Sequence, residues 1–367
     1  MTRINKPKSL YIHVPFCEHI CDYCDFTKLQ YFRNFAIKYL IALKDELESY
    51  RIEELDTIYV GGGTPTSLDD DLFLELINLV KPYTRGVKEY TFEANPESLS
   101  INKLKMMKDG GVNRLSIGVE STDDEILKMI NRHHNFNDVK IAVSNARKMG
   151  FDNLNLDLII GLPNVSKTLF KKDLRNILSL NPDHISCYSL TVNPNTVFFI
   201  NKIEEPNEEF ARDLYELADC LLKENDFTHY EISNWAKKGK ESLHNLTYWK
   251  DETYYGIGLG AAGYIDNIRY KNTKNLNKYL NKDYIEEKEV VSDKEDKTYF
   301  IMLNLRTNQG ISLAKYKEKF SEDLYEKKKS QIDSFIKRKL LVLDDDKLYP
   351  TFEGMMILDS LVLDLID

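Results

Sequence analysis

Cys17, Cys21 and Cys24 lie in the run VPFCEHICDYCDF with spacing C-x3-C-x2-C, directly after an apolar, strand-like segment from Leu10 to Phe16. Clustered thiolates are soft metal ligands. A [4Fe–4S] cube takes one ligand per iron, normally cysteine. Three cysteines without a fourth leave one iron open to bind and activate something else, as in any catalytic metal site. Two other readings stay open. On a helix the three residues would share one face and pack in a core, although Pro15 and the interleaved Glu18, His19, Asp22 and Asp25 suit a loop better. A zinc ion could take His13 or His19 as its fourth ligand, but structural zinc sites usually use two ligand pairs, and no second C-x2-C exists.

Other reactive or permissive residues sit where strands should end. The run GGGTPT (61–66) closes an apolar segment, and glycine lets a backbone approach a ligand closely. It lacks the Gly-Lys-Ser/Thr ending of a P-loop, and by itself could be a tight turn with Thr66 or Ser67 capping a helix. Glu93-Ala94-Asn95, Glu120 and Asp157 end three further segments. Alone, Arg132 reads as a surface ion-pair partner and Asp157 as a strand-end cap.

The elements that must position these groups alternate. Strand-like runs at 9–16, 57–63, 89–95, 114–120, 153–163 and 184–191 are separated by amphipathic segments at 32–50, 69–81, 98–109, 123–149 and 166–180, with another at 206–225. This pattern predicts βαβ units and a parallel sheet, either open and doubly wound or an incomplete barrel. Both place the active site at the C-terminal ends of the strands. After residue 227 the chain is rich in aromatics and glycine and lacks clear periodicity. The charged stretch 285–297 reads as a solvated linker or helix start. Residues 298–367 carry helical patterns, a hairpin turning at Asp344–Asp346 and a final apolar helix from Phe352. We therefore expect a first unit over 1–284 and a small winged-helix-like unit over 285–367.

Composition narrows the function. The 367 residues carry a net charge of −9, which argues against a nucleic-acid partner. No apolar run reaches the roughly 20 residues of a transmembrane segment, and the N-terminus has no signal-peptide core, so a cytoplasmic protein is expected. Five cysteines with three clustered fit a metal site better than disulfides. Cys187 and Cys220 are expected to be buried packing residues.

Together YIHVPFC, GGGTPT, EANPE, SIGVES, the Arg132 region, DLIIGLP and HNLTYW resemble the radical SAM superfamily along nearly the whole chain. The branch they resemble holds oxygen-independent coproporphyrinogen dehydrogenase and the HemW-type heme chaperones. The resemblance implies an α/β partial (β/α)6 TIM-type barrel. It also implies a [4Fe–4S] cluster on Cys17, Cys21 and Cys24 whose open iron is chelated by S-adenosylmethionine (SAM), with one-electron cleavage to a 5′-deoxyadenosyl radical. It assigns SAM contacts to Tyr11, Phe26, Gly62, Gly63, Thr64, Glu93, Glu120, Arg132 and Asp157. Arginine suits a carboxylate and aspartate suits ribose hydroxyls. Glu120 stands where the family commonly has glutamine, and an ionised carboxylate cannot donate a hydrogen bond.

Two features separate the branches. The dehydrogenase pattern has a further cysteine where this chain has Phe26, as HemW-like proteins do. HNLTYW matches a motif linked to heme binding, pointing to His244, Asn245, Tyr248 and Trp249, with His133, His134, His184 and His229 as alternative iron ligands; read alone it is an aromatic core loop. The resemblance thus implies a chaperone that binds heme and passes it to an acceptor protein, or alternatively a radical SAM tetrapyrrole enzyme such as the dehydrogenase. An electron donor is implied as a partner, and aromatics in 244–255 suggest a homodimer if they are exposed.

Overall fold

The computed structural model describes residues 6–366. Six strands run parallel: β1 (Ser9–Val14), β2 (Thr57–Gly62), β3 (Glu89–Ala94), β4 (Arg114–Glu120), β5 (Leu154–Ile160) and β6 (His184–Ser189). They pair in sequence order. Their near-continuous burial is what a parallel sheet covered on both faces requires. The return crossings are α1 (Arg33–Ser49), α2 (Asp70–Val80), α3 (Ile101–Asp109), α4 (Asp124–Met129) with α5 (Phe136–Lys148), α6 (Lys167–Leu178) and, after β6, α7 (Glu208–Lys223). This is the expected partial (β/α)6 architecture.

Three further strands extend the sheet. β7 (Thr228–Glu231) and β8 (Asn234–Ala236) add an antiparallel edge beside β6. At the other edge β9 (Tyr255–Gly258) pairs parallel with β1, Leu10 opposite Tyr255. The aromatic and glycine-rich segment therefore contains a sheet strand that its lack of periodicity concealed. Gly256 is obligatory there, because a Cβ would lie 1.7 Å from the Ala262 carbonyl oxygen. The buried carboxylate of Glu46 in α1 accepts hydrogen bonds from the Gly258 N–H (2.9 Å) and the side chains of Asn272 (2.6 Å) and Tyr279 (2.5 Å), tying this edge to the first helix.

Three expectations change. The segment 123–149 is two helices, broken at residues 130–135, where Asn131 adopts a left-handed φ of 60° and Asn135 caps α5 in a capping box. Residues Ile285–Val290 form β12, which pairs with β11 (Ile268–Asn272), itself paired with β10 (Ala262–Ile265). The charged stretch expected as a linker or helix start therefore opens as a strand, and Ser292 caps the helix Asp293–Asn304 that follows. Cys187 is buried as expected, but Cys220 is exposed, on the solvent side of α7 opposite buried Leu214, Ala218 and Leu222.

The C-terminal unit has its own core, including Leu305, Ile311, Ile332, Leu348 and Leu361. Its hairpin joins Leu341–Asp344 to Lys347–Pro350, turning where expected, and its last helical stretch divides into Phe352–Met356 and Leu358–Leu365. Among the described residues, no helix is long and apolar enough to cross a membrane.

Candidate functional site

The strands deliver their C-terminal ends to one cavity of about 430 Å³. Cys17, Cys21 and Cys24 line it, on the loop that leaves β1. Cys17 is buried and its sulfur accepts a hydrogen bond from the Thr64 hydroxyl at 3.7 Å, while the Cys21 sulfur accepts one from Arg132 Nη1 at 3.6 Å. Burial pushes the Cys17 thiol up to about 12 and the Cys24 thiol to about 11, a penalty that a bound metal reverses by deprotonating its ligand. Among the described residues, no three His, Cys, Asp or Glu side chains converge as ligands of a single ion would. The zinc alternative loses one of its two possible fourth ligands, since both His13 ring nitrogens are engaged, by the Tyr11 hydroxyl (2.9 Å) and the Thr27 carbonyl (2.7 Å); His19 stacks on His133, a contact that leaves its ring nitrogens open. Thiolates that each hold a different iron, as in a cube, do not need to converge.

Beside the cysteines the glycine turn is shaped by what it must avoid. A Cβ on Gly61 would lie 2.5 Å from the Glu93 carboxyl carbon, one on Gly62 would lie 2.6 Å from the His13 ring, and one on Gly63 would lie 2.7 Å from the Pro15 carbonyl carbon. Gly62 also has φ +115°, a conformation that L side chains resist. The Gly62 N–H donates to Glu93 Oε2 (3.0 Å) and the Tyr59 hydroxyl to Oε1 (2.7 Å), so both carboxylate oxygens are fixed in direction.

The break between α4 and α5 gives Arg132 its place. Its Nη1 donates to Asn95 Oδ1 (3.1 Å) as well as to Cys21, and its Nη2 donates to the Gly118 carbonyl. Its Nε is buried and has no hydrogen-bond partner among the described residues. An irregular β4–β5 register between Gly118 and Glu120, with Glu120 at φ 65°, turns the Glu120 carboxyl into the cavity. Burial pushes it up to about 7 against the opposing pull of Arg132. Asp157 accepts from Asn155 Nδ2 (2.7 Å) and Ser116 Oγ (3.2 Å), and burial raises its pKa as well. Phe26, Gly62, Gly63, Thr64, Glu93, Glu120, Arg132 and Asp157 all line the cavity; Tyr11 does not. Tyr11 lies three residues short of the end of β1, and its hydroxyl is turned to His13 below the glycine turn. Asn95 lines the cavity as its place among the strand-end residues suggests, whereas Tyr23, Lys28 and Tyr188 line it without a marking sequence signal.

These residues fit the cofactors implied by the resemblance. The donor set is soft at the three cysteines, a buried guanidinium has an unpaired N–H, and the glycine cradle excludes side chains. Cys17, Cys21 and Cys24 would hold the cluster, and the glycine turn, Glu93, Arg132 and Asp157 would hold SAM. The pair supplies one-electron chemistry when bound.

HNLTYW lies elsewhere. It forms helix α8 (Leu243–Trp249) under the opposite, N-terminal ends of the strands. Glu89, the first residue of β3, accepts hydrogen bonds from the N–H groups of Leu243 and His244, both at 2.9 Å. His244 is 1% exposed, with Nδ1 at 2.8 Å from the Thr57 hydroxyl and Nε2 at 2.8 Å from the Tyr248 hydroxyl. Burial lowers its pKa to about 3. Asn245 is half-buried, and Trp249 packs near Tyr230 and Leu246 with the Arg306 guanidinium 5.9 Å from its ring. The structure thus places these four residues in a floor beneath the barrel and at its junction with the C-terminal unit. Of the aromatics in 244–255, Tyr255 is buried and Tyr248, Trp249 and Tyr254 are half-buried, Tyr248 packing on His244 and Tyr254.

A six-stranded partial barrel whose strand ends gather three loop cysteines, a glycine turn and a buried arginine defines a radical SAM protein. The sequence matches the radical SAM superfamily over residues 11–177 and the HemN C-terminal domain over 291–357. Among curated relatives, a protein of Lactococcus lactis subsp. lactis named heme chaperone HemW is 37% identical over 360 residues, covering 96% of this chain and 95% of its own length. The Bacillus subtilis protein of that name is 37% identical over 368 residues, with 95% and 97% covered, and the Escherichia coli one is 32% identical over 371 residues, with 97% of each covered. The chain belongs to the HemW family of radical SAM proteins. Among solved structures, coproporphyrinogen III oxidase (HemN) from Escherichia coli superposes with a TM-score of 0.86 over 98% of this chain and 90% of that one, at 22% identity, a likeness of fold alone.

Proposed function

We propose that this protein is a heme chaperone: it takes up heme and passes it to an acceptor protein while retaining a SAM-ligated [4Fe–4S] site. The observation that carries this reading is the full-length likeness to curated proteins named heme chaperone HemW. Phe26 supports it, since it stands two residues after Cys24, where the dehydrogenase pattern has a further cysteine. The cluster on Cys17, Cys21 and Cys24, and SAM against Phe26, Gly62, Gly63, Thr64, Glu93, Glu120, Arg132 and Asp157, belong to the same reading. An external electron donor would reduce the cluster, and the cytoplasm is the compartment that suits its thiolates. The dehydrogenase alternative has the shared fold behind it and no specific feature of this site.

The test is anaerobic reconstitution of the cluster, followed by heme titration in parallel with a coproporphyrinogen III turnover assay containing SAM and a reductant. The expected outcome is a stoichiometric Soret-band complex without decarboxylated product. Product formation without heme uptake would reverse the ranking.

A further inference from the structure

Heme iron needs a ring nitrogen that is both free and reachable. Of the seven histidines, five are at most 7% exposed and so out of reach, three of them with both ring nitrogens engaged as well. His13, His184 and His244 are at most 5% exposed and use both ring nitrogens, His184 on Asn155 (2.6 Å) and Tyr230 (2.8 Å). His229 is 7% exposed, stacked on Trp235, bonded to the Tyr215 hydroxyl through Nε2, with Nδ1 3.8 Å from Asp219. His134 is 4% exposed between the Val119 carbonyl and Glu97.

His19 and His133 remain, both exposed. Their rings stack with centroids 3.6 Å apart and planes inclined by 15°. His19 sits between Cys17 and Cys21 and lines the cofactor cavity. Among the described residues it makes no side-chain hydrogen bond. His133 follows Arg132, so the break between α4 and α5 presents one side chain to the cluster loop from within and the next from outside. The two loops are locked together by Asn131 Nδ2 on the Ile20 carbonyl (2.8 Å) and the Asp22 N–H on the Ile130 carbonyl (3.2 Å), and Asn131 Oδ1 holds His133 Nε2 at 3.3 Å. The same cavity is lined by Phe26, 64% exposed, and Tyr188, 44% exposed, which offer ring faces for an apolar macrocycle.

We propose that His19 is the axial ligand that holds a heme cargo at the lip of the cluster cavity, with His133 as a positioning residue that fixes the imidazole by stacking. The proposal rests on the heme-chaperone reading. Two parallel rings in face contact cannot clamp one iron from opposite sides, so the attachment is a single Fe–N bond and the far face of the heme stays open. Transfer then needs only ligand exchange: an acceptor side chain bonds the open face, and the Fe–His19 bond breaks with its electron pair returning to the imidazole. No change in oxidation state is required.

The test is hemin titration of the reconstituted full-length protein, followed by its Soret band, for wild type, His19→Ala, His133→Ala, His133→Phe and His244→Ala, with iron content checking that each retains its cluster. His19→Ala is expected to weaken binding by about tenfold or more and to lose the histidine-ligated spectrum, and added imidazole to restore it. His133→Phe, which keeps a stacking face, should bind better than His133→Ala. Unchanged affinity and spectrum in His19→Ala, with wild type binding heme, would overturn the assignment and leave the chaperone reading intact. Failure of wild type to bind heme would remove both.

Discussion

Glu120→Gln should free the folded protein from a pH-dependent cost. The Glu120 carboxyl is buried in the cavity, and burial raises its pKa from 4.5 to about 7, with Asp157 and Glu93 adding repulsion and Arg132 and the Tyr23 hydroxyl opposing it. A carboxyl raised on folding binds its proton more tightly in the native state. Its contribution to stability is therefore complete below pH 4.5 and is lost as pH climbs through 7. At 1.36 kcal/mol per pH unit the gap amounts to about 3 kcal/mol, of which about 2 kcal/mol develops between pH 5.5 and pH 8.5. Glutamine has nearly the same shape and no titration. Glu93 and Asp157, also raised by burial, are present in both proteins and largely cancel in the comparison. Urea unfolding of the cluster-free wild type and variant at the two pH values measures the difference. The advantage of the variant should grow by about 2 kcal/mol at the higher pH. Parallel profiles would refute the reasoning, and would mean that Arg132 keeps Glu120 ionised at an ordinary carboxylate pKa.

Gly62→Ala forces a Cβ against the His13 ring at a φ of +115°; it should cost about 1–3 kcal/mol by thermal melting and abolish SAM binding by calorimetry. Arg132→Met removes the hydrogen bonds to Cys21, Asn95 and the Gly118 carbonyl; SAM affinity should fall by about tenfold or more, while iron per chain after reconstitution falls less. Cys24→Ser should leave the fold intact by circular dichroism and reduce cluster iron and sulfide to background. His244→Ala orphans the Thr57 and Tyr248 hydroxyls beneath the barrel and should cost about 2–3 kcal/mol in denaturant unfolding, with SAM binding unchanged.

Much of this architecture could be read from local signals. Each of the six strand-like runs became a parallel strand because continuous apolar stretches bounded by glycine or polar residues are themselves the signature of burial on both faces. The residues ending those strands meet in one cavity for the same reason. What escaped depends on distant partners. β9 is short and glycine-bearing, and pairs with a strand some 245 residues earlier; nothing within its own window marks it. The break at 130–135 was hidden by apolar residues in helical register on both sides, yet the capping signal of Asn135 with Asp138 lies in the sequence. HNLTYW illustrates the limit of motif reading, since its residue types suit a heme pocket and a buried floor equally. The pairing of His244 with Thr57 and Tyr248 is information that the residue types alone do not carry.

The pairing of β9 with β1 sets an order of events during synthesis. β1 leads directly into the cluster loop, and one of its edges stays open until Tyr255–Gly258 has been made. At about 5–20 residues per second, that is a delay of about 12–50 s after β1 is translated. For that interval the cysteine loop hangs from a half-supported strand, and Glu46 waits in α1 without the Gly258, Asn272 and Tyr279 donors that later satisfy it. The interval is a window in which the thiols are accessible to scaffold proteins, or to oxidants, before the edge strand closes over their anchor. Cluster loading into a nascent chain and into the finished protein are thus kinetically different processes.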